Sequence, residues 1–232
     1  MSELILLADN RRWLVVDKPA GIAAIPARDE DPAQSLRHRL QAQLGVPLWV
    51  VHRIDRETSG VMLFARDAQA HRELNLAFSN AQVHKSYLAW TAALPQPAQG
   101  RIALALHAAR KGKMRPALPG EADAKSACTD YVVEQHWRYA ELDIARVRCH
   151  PRSGRQHQIR VHLRSRECPI LRDALYGLQT LKAPFDRLPI QRLALHAAAI
   201  AVPAVLEQPP QTIHAPLPAD LIALQTALDL QA

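Results

Sequence analysis

Asp55 sits among His52, Arg53 and Arg56 and just before the small-residue turn Thr58-Ser59-Gly60. Neighbouring cations favour the ionised form of a carboxylate, so Asp55 is expected as an anion at neutral pH, available as a nucleophile or a base. A structural ion pair beside a turn is the competing reading. Three further segments carry side chains of the same chemical interest. His84-Lys85-Ser86-Tyr87 places an aromatic ring beside a cation. Ser153-Gly154-Arg155-Gln156-His157-Gln158-Ile159-Arg160-Val161-His162 concentrates arginine and histidine. Arg110-Lys111-Gly112-Lys113-Met114-Arg115 is a dense basic loop, for which a solvated surface and a phosphate contact both remain open. His157 and His162 could suggest a metal. Their i, i+5 spacing is poor for shared ligation on a helix and the intervening arginine repels a cation, so no metal is expected.

Positioning these groups falls to the flanking elements. Trp49-Val50-Val51 leads into the Asp55 loop and Val61-Met62-Leu63-Phe64-Ala65 leads out, which reads as strand, charged loop, strand. If Arg53 lies in extended chain, it shares a face with Asp55, two residues away. Trp13 to Asp17 reads as a strand ended by Lys18-Pro19-Ala20-Gly21. Leu36, Leu40 and Leu44 form one helical face stopping at Gly45, and Asp67 can cap a helix carrying Ala70, Leu74, Ala77 and Phe78. Further strands are expected at Tyr87–Trp90, near Cys128–Val133, at Leu142–Cys149 and at Leu193–Val202. Helices are expected from about Gln156 to Arg164 and, carrying Leu221, Leu224 and Leu228, at about 219–230. Residues 93–123 are rich in Pro, Gly and basic residues, with a short apolar run from Ile102 to Leu106. Strands outnumber helices and do not alternate with them. The fold class is therefore α+β with a mixed, largely antiparallel sheet and flanking helices, not a doubly wound parallel one.

Bulk properties narrow the setting. The 232 residues can bury one substantial core, and Lys plus Arg number 29 against 22 Asp plus Glu, a net charge of +7. That excess points to a polyanionic partner, nucleic acid before membrane. Three cysteines without a Cys-x-x-Cys suggest neither disulfide framework nor thiolate site and fit a reducing cytoplasm. The start has no basic leader, and the most apolar stretch, Leu193 to Leu206, contains His196 and Pro203 and falls short of a span. A soluble, cytoplasmic protein is expected. No Walker A loop, dinucleotide fingerprint or His-Glu-x-x-His occurs, so no cofactor is expected.

The segment His52 to Gly60 resembles the signature loop of the RluA-type RNA pseudouridine synthases, His-Arg-Leu-Asp-x-x-Thr-Ser-Gly, with Ile54 for Leu. A parse as the catalytic loop of a protein kinase fails. Ile54 interrupts it, no Asn follows at the required spacing and no Gly-rich loop precedes it. Lys85-x-Tyr87 is similar to the family's Lys-x-Tyr motif. Ser153 to His162 is similar to Thr-Gly-Arg-x-His-Gln-Ile/Leu-Arg-x-His, and Arg192 to Ala197 to Arg-Leu-x-Leu-His-Ala. Fainter echoes are Val16-Asp17-Lys18-Pro19-Ala20-Gly21 and Lys125-x-Ala127-x-Thr129-x-Tyr131. The matches run in the family's order from residue 16 to 197.

The resemblance implies a single pseudouridine synthase catalytic domain over 1–232, two lobes about a shared sheet with a central RNA-binding cleft. It implies isomerisation of uridine within structured ribosomal or transfer RNA. The base is flipped out, its bond to ribose C1′ is broken, and C1′ is rejoined at C5. It further implies Asp55 as nucleophile, at ribose C1′ or base C6, with Arg160 as its ion-pair partner. Tyr87 would stack on the target base, Arg53 would fill the space the base leaves, and Leu195 would line the uracil pocket. Arg155, Arg110, Lys111 and Lys113 would contact phosphates. RNA is the expected partner, with no membrane and no obligate protein partner, and the chain is expected to act as a monomer. The amino-terminal S4-like domain of some relatives is expected to be absent. One departure stands out. The family's Pro-Ile-x-Gly-Asp is Pro169-Ile170-Leu171-Arg172-Asp173 here. If the glycine position needs positive φ, that loop must be rebuilt or strained. Two rivals remain, an RNA-binding or chaperone protein with incidental catalysis and a nucleoside hydrolase. A hydrolase would release free base, which an isomerase does not.

Overall fold

The computed structural model describes residues 3–26, 30–140, 142–177, 186–205 and 208–230. The chain divides into two compact units. One comprises Met1–Lys85 and Ala197–Pro216, the other Ser86–His196 and Leu217–Ala232. Two of the three boundaries fall within strands, β5 (His84–Thr91) and β11 (Leu195–Val202), and the third, between Pro216 and Leu217, lies outside any strand.

In the first unit, β1 (Leu6–Asp9) lies antiparallel to β2 (Trp13–Lys18). β2 pairs antiparallel with β4 (Ser59–Ala65) from Trp13↔Ala65 to Lys18↔Gly60. The short β3 (Trp49–Val50) joins the far end of β4, and β4 neighbours β11, which carries β12 (Gln211–His214). All seven residues of β4 are buried, so both of its faces are covered, and from Val61 to Ala65 its sequence is a continuous apolar run rather than an alternation. Helix α1 (Leu36–Leu44) is capped by Ser35 and stops at Gly45, whose φ of 69° is the left-handed cap expected there. Its Leu36 and Leu40 pack with Leu14, Val16, Leu48, Met62 and Phe64. Helix α2 (Ala68–Ser79) starts where Asp67 Oδ1 accepts the Ala70 N–H at 2.9 Å, and buries Ala70, Leu74 and Ala77.

The second unit is built on the order β5, β10 (Leu142–Pro151), β9 (Cys128–Tyr139) and β6 (Gln99–Ala103), all antiparallel. β9 and β10 are longer than the sequence suggested. The polar run Glu134, Gln135, His136, Arg138 reads as loop, yet Trp137 and Tyr139 continue the buried alternation to the strand's end. A register shift between Arg146 and Val147 accommodates the pairing. The basic middle section holds β6 and a hairpin of β7 (Leu106–Ala108) and β8 (Met114–Pro116), joined by a 3-10 turn at Arg110–Gly112. Helix α3 (Gln158–Ser165) begins after His157, at φ 54°. Helix α4 (Ala219–Asp229) buries Leu221, Leu224 and Leu228, and its Asp229 accepts from Trp137 Nε1 at 2.7 Å. The architecture is thus α+β with largely antiparallel strands, as the sequence pattern indicated. No helix among the described residues is long and apolar enough to cross a membrane.

Candidate active site

Asp55 lies in the first unit, on the loop between β3 and β4. Three contacts fix that loop. The ammonium of Lys18, fully buried, donates to the carbonyls of Pro19, Ile22 and Arg56, each at 2.8 Å. The Arg56 carbonyl also accepts the N–H of Gly21 at 2.9 Å, and Asp55's own carbonyl accepts from Thr58 at 3.1 Å. A buried ammonium is costly unless its donors are used, and here they hold the backbone one residue beyond the carboxylate. The Lys18-Pro19-Ala20-Gly21 strand end therefore serves as the clamp on the Asp55 loop, a role the linear sequence does not disclose.

The loop's start and end are equally constrained. His52 Nε2 accepts the N–H of Leu63 at 2.9 Å, and its ring stacks on Phe78 with centroids 5.0 Å apart. Burial, with Lys85 adding a smaller like-charge effect, holds the His52 imidazole down to about 3, so it is neutral and acts as a hydrogen-bond acceptor. Burial also brings the Lys85 ammonium down to about 8. At the far end Gly60 adopts φ 109°, and a Cβ there would stand 2.2 Å from the Ala197 carbonyl oxygen. Only a residue without a side chain allows β4 to lie this close to β11. Arg53 is exposed and Asp55 half-buried on this loop. Neither is part of a strand, so the alternation argument that put them on one face does not apply.

Tyr87, Arg160, Leu195, Arg155 and the basic loop all belong to the second unit. Tyr87 is half-buried on β5, opposite Cys149 of β10. Arg160, on α3, is 6% exposed and forms a bidentate pair with Asp173, Nε to Oδ2 at 2.8 Å and Nη2 to Oδ1 at 2.7 Å. Asp173 Oδ1 also accepts the N–H groups of Leu175 and Tyr176, at 2.9 and 3.0 Å. The guanidinium is thereby held in one orientation, as a planar fork on a carboxylate is. Sequence reasoning passed over Asp173. It stands in the quoted Pro-Ile-x-Gly-Asp segment, so the signal was present.

The departure at Arg172 is resolved by its backbone. Arg172 adopts φ 58°, the conformation for which the family's glycine is suited. Its side chain holds the neighbouring chain, donating from Nε to the Ile190 carbonyl at 2.9 Å and from Nη1 to Asp186 at 2.8 Å. The loop keeps the glycine-type conformation with an arginine in it.

Gln158 ties the α3 motif to β9. Its Oε1 accepts from Ser153 Oγ at 2.6 Å and the Arg155 N–H at 3.1 Å. Its Nε2 donates to the Cys128 carbonyl and Thr129 Oγ1, at 2.9 and 3.0 Å. Arg155 is exposed and bonds the Ser126 carbonyl at 3.2 Å. His162 is buried with both ring nitrogens in use, toward Thr129 Oγ1 at 2.9 Å and the Leu104 carbonyl at 3.0 Å. The carbonyl requires Nε2–H, so Nδ1 accepts from the threonine hydroxyl. His157 turns to Tyr176 instead, so the two histidines serve separate hydrogen bonds. Leu195 is 3% exposed at the start of β11, and Arg192 beside it grips Asp220 from Nε at 2.6 Å and Nη2 at 2.9 Å. Arg110 and Lys111 are exposed, whereas Lys113 Nζ reaches the Leu175 carbonyl at 3.2 Å.

The chain is similar to known proteins over most of its length. The sequence profile of RNA pseudouridylate synthase matches residues 12–165. Ribosomal large subunit pseudouridine synthase D of Xylella fastidiosa is 35% identical, over 97% of this chain and 69% of its own. The dual-specificity RNA pseudouridine synthase RluA of Escherichia coli is 34% identical over 86% of each chain. Among solved structures, human RNA pseudouridylate synthase domain containing 1 superposes with a TM-score of 0.77 at 26% identity. It covers 93% of this chain and 84% of its own. Human RNA pseudouridylate synthase domain containing 4 gives 0.74 at 27%, covering 97% and 92%. The clamped aspartate loop, the ordered motifs and these likenesses converge: the chain belongs to the RNA pseudouridylate synthases, isomerases of the RluA/RluD type.

Proposed function

We propose that this RNA pseudouridine synthase acts on a uridine flipped out of a structured ribosomal or transfer RNA, with Asp55 as the nucleophile that opens the glycosidic bond. The observation that carries this reading is the fastening of the Asp55 loop. A fully buried Lys18 and the Gly21 N–H both bind the Arg56 carbonyl. A nucleophile held this way needs little reorganisation to attack a bound base or sugar. Arg160 is assigned the role of cation in this scheme, and Tyr87 that of stacking surface for the flipped base. Arg53 fills the gap left in the RNA stack, and Leu195 lines the uracil pocket. Arg155, Arg110, Lys111 and Lys113 contact phosphates, consistent with the net charge of +7. Isomerisation neither adds nor removes a group, so the reaction as proposed calls on no redox or group-carrier cofactor.

The protein is proposed to work as a monomer in the cytoplasm. Its three cysteines are free thiols, and burial pushes Cys149 up to about 12 and Cys168 up to about 11, the behaviour of inert structural thiols.

The test is a pseudouridine map of total RNA from cells lacking the gene, complemented with wild type or Asp55→Ala. A site that vanishes and returns only with wild type supports the reading and identifies the substrate. Rescue by both versions refutes the role given to Asp55.

A further inference from the structure

We propose that Tyr176 is a positioning residue that fixes the RNA-gripping basic loop and the Arg160 guanidinium from a single side chain. The inference rests on the reading of Arg160 and of residues 110–113 given above. Three faces of Tyr176 are used. Its hydroxyl accepts the backbone N–H of Met114 at 2.8 Å and meets His157 Nδ1 at the same distance. Met114 is the first residue after the basic turn, so this bond sets where the turn ends. The ring lies beneath Arg160, with Cζ 5.1 Å from its centroid, the placement in which a guanidinium is attracted to an aromatic face. The backbone N–H of Tyr176 binds Asp173 Oδ1, on the carboxylate that grips Arg160.

The turn carrying Tyr176 leaves it little freedom. The Gly177 N–H closes on the Asp173 carbonyl at 2.8 Å, and a Cβ on Gly177 would stand 2.5 Å from that oxygen. Two more bonds brace the basic turn, Lys113 Nζ to the Leu175 carbonyl at 3.2 Å and Gln156 Nε2 to the Gly112 carbonyl at 3.3 Å. Met114 and Tyr176 also pack together against Leu106, Ala127 and Val161. The basic loop and Arg160 are far apart in sequence, yet each contacts the same tyrosine. A shift of either is felt by the other.

The hydroxyl and the ring therefore have separable duties. Tyr176→Phe keeps the ring under Arg160 and the apolar packing while freeing the Met114 N–H. It should raise KM and Kd for in vitro transcribed ribosomal and transfer RNA by about tenfold, with kcat within about twofold. Amide exchange across 110–116 in the free protein should quicken. Tyr176→Leu removes the ring as well and should lower kcat in addition. Unchanged KM, Kd and exchange in Tyr176→Phe would overturn the inference, as would a fall in kcat alone. A wild type that binds these RNAs but makes no pseudouridine would refute the functional reading. Kd and exchange in Tyr176→Phe would then decide the part played by its hydroxyl.

Discussion

Asp173 grips Arg160 through both carboxylate oxygens, and the two side chains are 1% and 7% exposed. Removing one partner of such a pair strands a buried charge. Asp173→Ala should therefore cost about 3–5 kcal/mol of stability. Asp173→Asn, which keeps an oxygen for the Leu175 and Tyr176 N–H groups, should cost less. Denaturant midpoints of the two variants give the comparison, and equal losses would show that those hydrogen bonds contribute nothing beyond the charge pairing.

Tyr87 is proposed to stack on the flipped base. Tyr87→Phe retains the ring, so RNA affinity should stay within a few-fold of wild type. The single-turnover rate will fall only if the hydroxyl moves a proton. An unchanged rate confines Tyr87 to stacking. Tyr87→Ala should weaken binding by about 1–3 kcal/mol, measured as Kd on the same RNA.

Gly60 can accept no side chain. With φ at 109° and the Ala197 oxygen 2.2 Å from where a methyl would stand, Gly60→Ala should lose about 3 kcal/mol or fail to accumulate folded protein. Thermal unfolding or soluble yield reports the outcome, and a variant as stable as wild type would mean that β4 and β11 can move apart freely.

His52 predicts a pH effect whose sign follows from its burial. In the folded chain it takes a proton only near 3, whereas an unfolded histidine does so near 6.5. Below 6.5 the unfolded chain binds more protons, so this group's contribution to stability is complete above 6.5 and is lost as pH falls toward 3. His52→Gln should flatten that part of the stability profile between pH 6.5 and about 3. An identical slope in variant and wild type would exclude His52 as its source.

Arg172 tests backbone strain apart from side-chain contacts. Both Arg172→Gly and Arg172→Ala lose the bonds to Asp186 and Ile190, but only glycine is at ease at φ 58°. The glycine variant should be the more stable of the two by about 1 kcal/mol in urea unfolding.

Much of this was legible in the amino-acid sequence, for physical reasons. Leu36, Leu40 and Leu44 repeat at helical spacing and Asp67 precedes an apolar face, so α1 and α2 could be read directly. The ends of β9 could not, because Trp137 and Tyr139 are interleaved with charged residues that look like loop. β6 to β8 lay hidden among proline, glycine and basic residues. The side chains proposed to carry the chemistry, Asp55, Tyr87 and Arg160, stand out in the sequence by type and order. The residues that hold such groups in place do not. Lys18 acts on a carbonyl 38 residues away, Gln158 on β9 30 residues back, and Tyr176 on an N–H 62 residues back. Such bonds depend on tertiary approach and leave no local pattern.

Gly60 closes the same short motif that contains Asp55, yet the two are kept by different pressures. In the proposed mechanism Asp55 is required by what the protein does to RNA, whereas Gly60 is required by how tightly two strands lie. A descendant of this fold that had abandoned isomerisation would be free to replace Asp55 and still obliged to retain a residue without Cβ at position 60. Scored separately, the two positions distinguish inherited architecture from inherited chemistry in any newly found chain.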